Sequence, residues 1–177
     1  MKTHLAQGIS SLTLIAILNN WSEGQFMADL IGTIVATCMS PDGGIPKYPQ
    51  EEMLILSEGV DGDFHAKLGT KDRAVSVVGE ETYDYLKKNM KIELKPGDFS
   101  ENILTRGLGD LSDLEAGDKI RFGNEVLIEV TEQNAPCSAL AVYHEDILRP
   151  LVGARGVVCR VLTTGKVRPG QTATVNR

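Results

Sequence analysis

Cysteine is scarce in this chain. There are three (Cys38, Cys137 and Cys159) in 177 residues, and no two stand at CxxC spacing. That excludes a disulfide framework, a structural zinc site and a four-thiolate iron–sulfur cluster, and it fits a reducing cytoplasm. Positive charge is also short: the net charge is −6. A protein that coats duplex nucleic acid is therefore not expected, and an anionic ligand would need a local basic pocket against an acidic whole. Long apolar runs are missing too. The longest, Leu12 to Leu18, falls short of the roughly 17–25 residues of a membrane span. No internal repeat or low-complexity tract is visible. What remains is 42% hydrophobic and 24% charged, the balance of one soluble globular domain with a core of its own.

The first segment, residues 1–26, stands apart. Its apolar run follows a single Lys2 and resembles a signal-peptide core, but no small-x-small cleavage site comes before Asn19-Asn20-Trp21. Leu5, Ile9, Leu12 and Ala16 fall on one helical face. We expect an N-terminal helix or a misplaced start there, with the domain itself spanning residues 27–177.

Strand signals dominate the rest. Leu30 to Cys38, Met53 to Leu56, Arg73 to Val78, Val157 to Leu162 and Gln171 to Val175 are rich in β-branched and aliphatic residues. Lys119 to Phe122 and Glu125 to Glu132 flank Gly123-Asn124, which predicts a hairpin. Glu80 to Asn89 reads as a helix, with acidic residues first and Lys87-Lys88 last, matching the helix dipole. Ser138 to Leu148 reads as a second helix ended by Pro150. The pattern is mainly β, a β-rich α+β chain with two or three peripheral helices. On their strands, Cys38 and Cys159 are expected in the core.

Cys137 is different. It follows Asn134-Ala135-Pro136 at the end of the strand Glu125 to Glu132, and Pro136 cannot donate to a ladder, so the strand must stop or bend. A thiol at a strand end faces a cleft more readily than a core. Such a thiol can be a nucleophile, a sulfur carrier or a metal ligand if a nearby cation favours its thiolate, or simply a small buried hydrophobe. Asp61 and Asp63 lack the remaining ligands of a calcium loop.

Several short motifs recur in one order: Gly59-Val60-Asp61-Gly62-Asp63-Phe64-His65, then Arg73 to Val78, Pro96 to Ile103, Gly107-Leu108 with Leu114, Gly117-Asp118, Pro136-Cys137, and Arg155-Gly156-Val157. In this order the chain resembles the MOSC family, the C-terminal domain of molybdenum-cofactor sulfurases that also occurs as small stand-alone proteins. The resemblance runs from about Ile31 to Val175. It departs at Lys67-Leu68, where a glycine often follows the His-Ala pair, and at Arg168 to Gln171.

The resemblance implies a MOSC-like β-barrel and handling of the molybdenum cofactor, a phosphate-bearing molybdopterin. Cys137 would be the metal ligand or catalytic sulfur carrier. Arg73 and Arg155 would grip the anionic cofactor, with Lys67 a bystander. His65 would bond it, shuttle a proton or merely hold its loop. Asn102 would meet a pterin edge, and Glu101 would join it or pair with an arginine. The chain is too short for the pyridoxal-phosphate half of full-length relatives, and no pyridoxal-phosphate lysine is recognised. Any sulfur donor would then be a separate cysteine desulfurase, with a molybdoenzyme as the receiving partner. The alternatives are a cofactor-dependent reductase of N-hydroxylated compounds, which needs an external electron donor, and a non-catalytic carrier. No nucleic-acid or membrane partner is expected.

Overall fold

The computed structural model describes residues 30–176; the expected N-terminal extension, residues 1–26, lies outside them. Among these residues, eleven strands and one α-helix are formed. In chain order they are β1 (Leu30–Met39), β2 (Tyr48–Gln50), β3 (Met53–Leu56), β4 (Gly59–Val60), β5 (Val75–Gly79), α1 (Glu80–Met90), β6 (Ile103–Arg106), β7 (Lys119–Phe122), β8 (Val126–Gln133), β9 (Val157–Thr163), β10 (Gly165–Val167) and β11 (Thr172–Asn176).

Seven strands close into a barrel. Its order is β1-β11-β7-β8-β9-β5-β6 and back to β1, with β2 paired on the outer edge of β1. Closure removes the open edges that a flat sheet would expose. A small sheet, β10-β3-β4, stands beside it. Alternation sets which side chains enter the barrel: in β7, Ile120 and Phe122 are buried while Lys119 and Arg121 face water. All pairings in the barrel are antiparallel except β5 with β6, where Val77 lies opposite Ile103. A parallel pair needs a crossover connection, and α1 lies in it.

Two apolar layers result. Inside the barrel, Ile34, Val75, Val77, Ile103, Ile120, Phe122, Ile128, Val157, Cys159 and Val175 pack together. Outside it, Val78, Leu104, Ala36 and Cys38 meet Tyr83 and Leu86 of α1, together with Phe99, Leu140, Ile147 and Leu151. β5 lies between the layers, which is why Val77 and Val78 are both buried. Each such aliphatic side chain contributes roughly 1.5–3 kcal/mol. Cys38 and Cys159 are fully buried, as expected of core thiols.

Two sequence expectations need correction. Ser138 to Leu148 is not an α-helix. A 3-10 turn covers Ser138–Val142, and tight turns follow, bonded Ile147 to His144, Leu151 to Leu148 and Ala154 to Leu151. This winding brings Leu140, Ile147 and Leu151 into the outer layer together. Arg73 does not open β5; it ends a 3-10 turn, Lys71–Arg73. His65 lies on a 3-10 turn, His65–Leu68, closed by Gly69 at φ 69°. The left-handed glycine missing at Lys67-Leu68 is thus supplied one residue later. Among the described residues no helix is long and apolar enough to cross a membrane.

Candidate functional site

The end of β8 and the start of β9 hold one half of the site. The Asn134 N–H donates to Gly156 O at 2.9 Å, extending the ladder past the strand ends. Gly156 sits at φ 79°, and a Cβ there would lie 2.1 Å from Val77 O. Only glycine allows this approach, and it carries the neighbouring Arg155 into the molecule. Arg155 is 7% exposed. Its Nη1 donates to Ala135 O at 2.5 Å and Asn134 Oδ1 at 3.5 Å, and its Nη2 to Phe99 O at 2.9 Å. Its Nε is buried and has no hydrogen-bond partner among the described residues.

Asn134 Oδ1 also accepts from Arg73 Nη2 at 3.4 Å, so both arginines converge on one amide three residues before Cys137. The other end of the Arg73 fork pairs with Glu132 in the open. Cys137 is exposed. It precedes the 3-10 turn Ser138–Val142, with its carbonyl accepting from Leu140 N at 3.0 Å, and its thiol does not cap that turn. Burial pulls Arg155 below its ordinary pKa, and the charge of Cys137 is the largest influence opposing that. Through Ala135, two residues before Cys137, the guanidinium is tied to the segment that carries the thiol.

The second half is sealed. Asp63 and Lys47 have side chains only 1% exposed, and Lys47 Nζ lies 3.1 Å from Asp63 Oδ2. The Asp63 carboxylate also accepts from the N–H groups of Ser40 (3.1 Å) and His65 (3.0 Å), and lies 3.5 Å from Asn102 Nδ2. Burial alone would raise its pKa. The bond to His65, the Lys47 charge and the two backbone donors outweigh that and hold it well below the usual range. Burial pulls Lys47 down in turn, against the attraction of Asp63. His65 Nδ1 lies 3.3 Å from Asp63 Oδ1, and the ring is 42% exposed.

The loop from Gly97 to Asn102 walls both halves. Gly97, at φ 95°, comes so near Lys47 that a Cβ would lie 2.0 Å from its carbonyl oxygen. Glu101 is wholly buried. Its carboxylate accepts from Gly97 N at 2.6 Å, Phe99 N at 3.1 Å and the Tyr83 hydroxyl at 2.8 Å. Burial raises its pKa, against those bonds. Asn102 is also buried. It accepts from Ser76 N and Ser76 Oγ and donates to Cys38 O at 3.2 Å. The two residues expected among the cofactor contacts thus have their polar atoms engaged by the protein: they shape the loop whose Phe99 carbonyl holds Arg155. Cys137, Arg155, Arg73 and His65 are the expected site residues that keep polar atoms available. Lys67 donates to Pro41 O at 3.1 Å on the surface.

Sequence reasoning missed Lys47, Asp63 and Asn134 as members. Asp63 had a readable sign, since a carboxylate two residues before His65 can accept that residue's N–H in an Asx turn. Lys47 had none.

A closed seven-stranded barrel with a thiol at a strand end, beside a buried arginine, defines a class of small β-barrel domains. The MOSC domain pattern matches residues 61–174, and the chain belongs to that family. Among solved structures, the YuaD protein of Bacillus subtilis is similar at TM-score 0.73 and 20% identity, covering 84% of this chain and 97% of that one. YiiM of Escherichia coli is similar at 0.63 and 24%, covering 83% and 70%. YiiM of Geobacillus stearothermophilus is similar at 0.62 and 23%, covering 85% and 76%. No curated protein sequence matches the chain.

Proposed function

We propose that the protein binds the molybdenum cofactor and carries sulfur on Cys137. One observation carries this reading: the exposed thiol of Cys137 lies two residues from Ala135, whose carbonyl accepts from Arg155, and the buried Nε of Arg155 has no partner among the described residues. A buried N–H without a partner costs about 1–3 kcal/mol, and an anionic ligand would satisfy it. Arg155 and Arg73 together suit a phosphate or another oxyanion, because the guanidinium fork is planar and doubly donating. A thiolate is a soft ligand, fit for a soft metal. Among the described residues no group of three or more His, Cys, Asp and Glu side chains is arranged to hold a metal ion. Cys137 would then be the protein's one ligand to a metal whose remaining ligands come with the cofactor.

When bound, the cofactor supplies a metal centre able to accept sulfur or exchange electrons. The chain's own part is simpler. Arg155 supplies a positive charge at the foot of the segment that carries Cys137, and Asn134 bonds both arginines at the strand ends. The Cys137 thiolate attacks the outer sulfur of a donor's cysteine persulfide; the donor's S–S bond breaks, its cysteine leaves as thiolate, and Cys137 holds the persulfide. The donor is a separate desulfurase, and the acceptor is the cofactor or a molybdoenzyme carrying it. The cytoplasm, where both are made, is the proposed site of action.

The test has two arms. Protein made in cells that produce the cofactor should copurify with molybdenum and pterin, and Cys137→Ser and Arg155→Met should lose both. Incubation with a cysteine desulfurase and cysteine should add one sulfur to the wild-type mass and none to Cys137→Ser. Cofactor bound equally by Cys137→Ser, or sulfur gained without Cys137, would overturn the proposal. Binding without sulfur gain would favour the carrier or reductase alternatives.

A further inference from the structure

We infer that Asp63 is a positioning residue: it fixes His65 in the tautomer with its proton on Nδ1, so that Nε2 is presented as the proton acceptor of the site. The assignment follows from which groups can donate. An ionised carboxylate only accepts. Asp63 is surrounded by donors: the Lys47 ammonium at 3.1 Å, the N–H groups of Ser40 and His65, and Asn102 Nδ2. The remaining neighbour is His65 Nδ1, 3.3 Å from Oδ1. A bare lone pair on Nδ1 would face that oxygen's lone pairs, so Nδ1 carries the proton, and in a neutral ring Nε2 then does not.

The arrangement is held from several sides. Asp63 is 1% exposed, so water does not compete for it. Lys47 makes the buried pair net neutral, and Asp63 orients the ring without adding a free charge. Phe64 packs edge-on against the imidazole, with ring centroids 5.7 Å apart and planes at 90°. The His65 backbone N–H binds the same Oδ1 as its ring, which ties ring and main chain to one point. A half-exposed imidazole set this way can take a proton from an N–H, O–H or S–H group of a bound ligand and hand it to water. The identity of that ligand rests on the function proposed above; the tautomer does not.

The experiment reads the ring directly. Long-range proton–nitrogen correlation NMR on labelled, cofactor-free protein above the histidine titration distinguishes the two tautomers. His65→Gln assigns the signal among the three histidines. The wild type should show Nδ1–H with an unprotonated Nε2, the reverse of the preference of a free histidine side chain. Asp63→Asn should shift the ratio toward Nε2–H, because the amide can donate to Nδ1. Should that variant fail to fold, with Lys47 left unpaired, Lys47→Met combined with Asp63→Asn removes both charges and the ratio is read there. A wild-type ring protonated on Nε2, or a ratio unchanged by either variant, would overturn the inference. Because no cofactor is present, failure of the cofactor reading leaves this result standing, and the converse also holds.

Discussion

The Lys47–Asp63 cluster and the Arg155–Cys137 cluster share a wall, the loop from Gly97 to Asn102, yet they treat polar groups in opposite ways. Around Asp63 the donors and acceptors are matched, and both charged side chains are 1% exposed. Around Arg155 the matching is incomplete: two nitrogens of the guanidinium are bonded, the third is buried and idle, and the thiol nearby is open to solvent. A matched buried pair has no polar capacity left for a ligand of its own, and removing either partner strands the other. An unmatched donor is a standing cost of the empty state that a ligand relieves. The difference separates a cluster whose polar groups are spent on the fold from one that keeps a donor and a thiol in reserve.

The comparison can be broken most severely at Lys47. Lys47→Ala should cost about 3–5 kcal/mol, the loss expected when one partner of a buried ion pair is removed; denaturant unfolding measures it. Lys47→Met with Asp63→Asn should recover much of that loss. A Lys47→Ala cost below about 1 kcal/mol would mean that the cluster is not sealed.

Acid is the next probe. Asp63 has a folded pKa below its ordinary 3.8. Its contribution is full above that ordinary value and is lost as pH falls toward the depressed folded one. Melting temperature should therefore begin to drop as pH falls through about 4 and go on dropping below it, and the Lys47→Met/Asp63→Asn variant should drop less. Alkali probes a core thiol instead. Burial raises Cys38 from 9.0 to about 12, so the stability gained by keeping it neutral is full below pH 9 and is lost as pH rises toward 12. Cys38→Ala should flatten the decline seen above pH 9.

Thiol reactivity sharpens the contrast without touching stability. Limiting alkylation of the native protein should label Cys137 first, because Cys38 and Cys159 are fully buried and thiolates are the reacting species. Peptide mapping that finds Cys38 labelled first would remove Cys137 from the site. The smallest effect belongs to Arg73. Its pair with Glu132 is about half exposed on both sides, so Arg73→Lys should change stability by only about 0–1 kcal/mol, while cofactor retention falls through loss of the planar fork.

Much of the barrel was legible because its strands alternate or run β-branched. β1, β3, β5, β7, β8, β9 and β11 all announced themselves near their observed limits. β2, β4 and β10 have three residues or fewer, too few to show a period. β6 went unassigned: it has only four residues, and the polar Glu101 and Asn102 before it are buried and lead straight into Ile103. Cys137 was legible because Pro136 marks where a ladder must fail. The convergence of Arg73 and Arg155 followed from resemblance alone, and their common partner, Asn134, went unnoticed. Lys47 was illegible for a physical reason: a lysine between two prolines gives no local hint that its counter-charge arrives sixteen residues later.

The antiparallel pairing of β8 with β9 has one more consequence. Gln133 lies opposite Val157, and Asn134 bonds Gly156, so residues 135–155 form an extended hairpin excursion whose two feet are clamped by the ladder. Cys137 and Arg155 stand at those feet. The excursion between them can therefore lengthen or shorten while its feet stay in place, since doubling a loop costs only about 0.6 kcal/mol. What it must keep is three apolar plugs, Leu140, Ile147 and Leu151, all fully buried in the outer layer. Val142 and Val152, more than 70% exposed, are under no such constraint. The barrel thus holds Cys137 and Arg155 in fixed places beneath an exchangeable brim, and grafting a different brim that retains the three plugs is a direct route to changing what reaches the thiol.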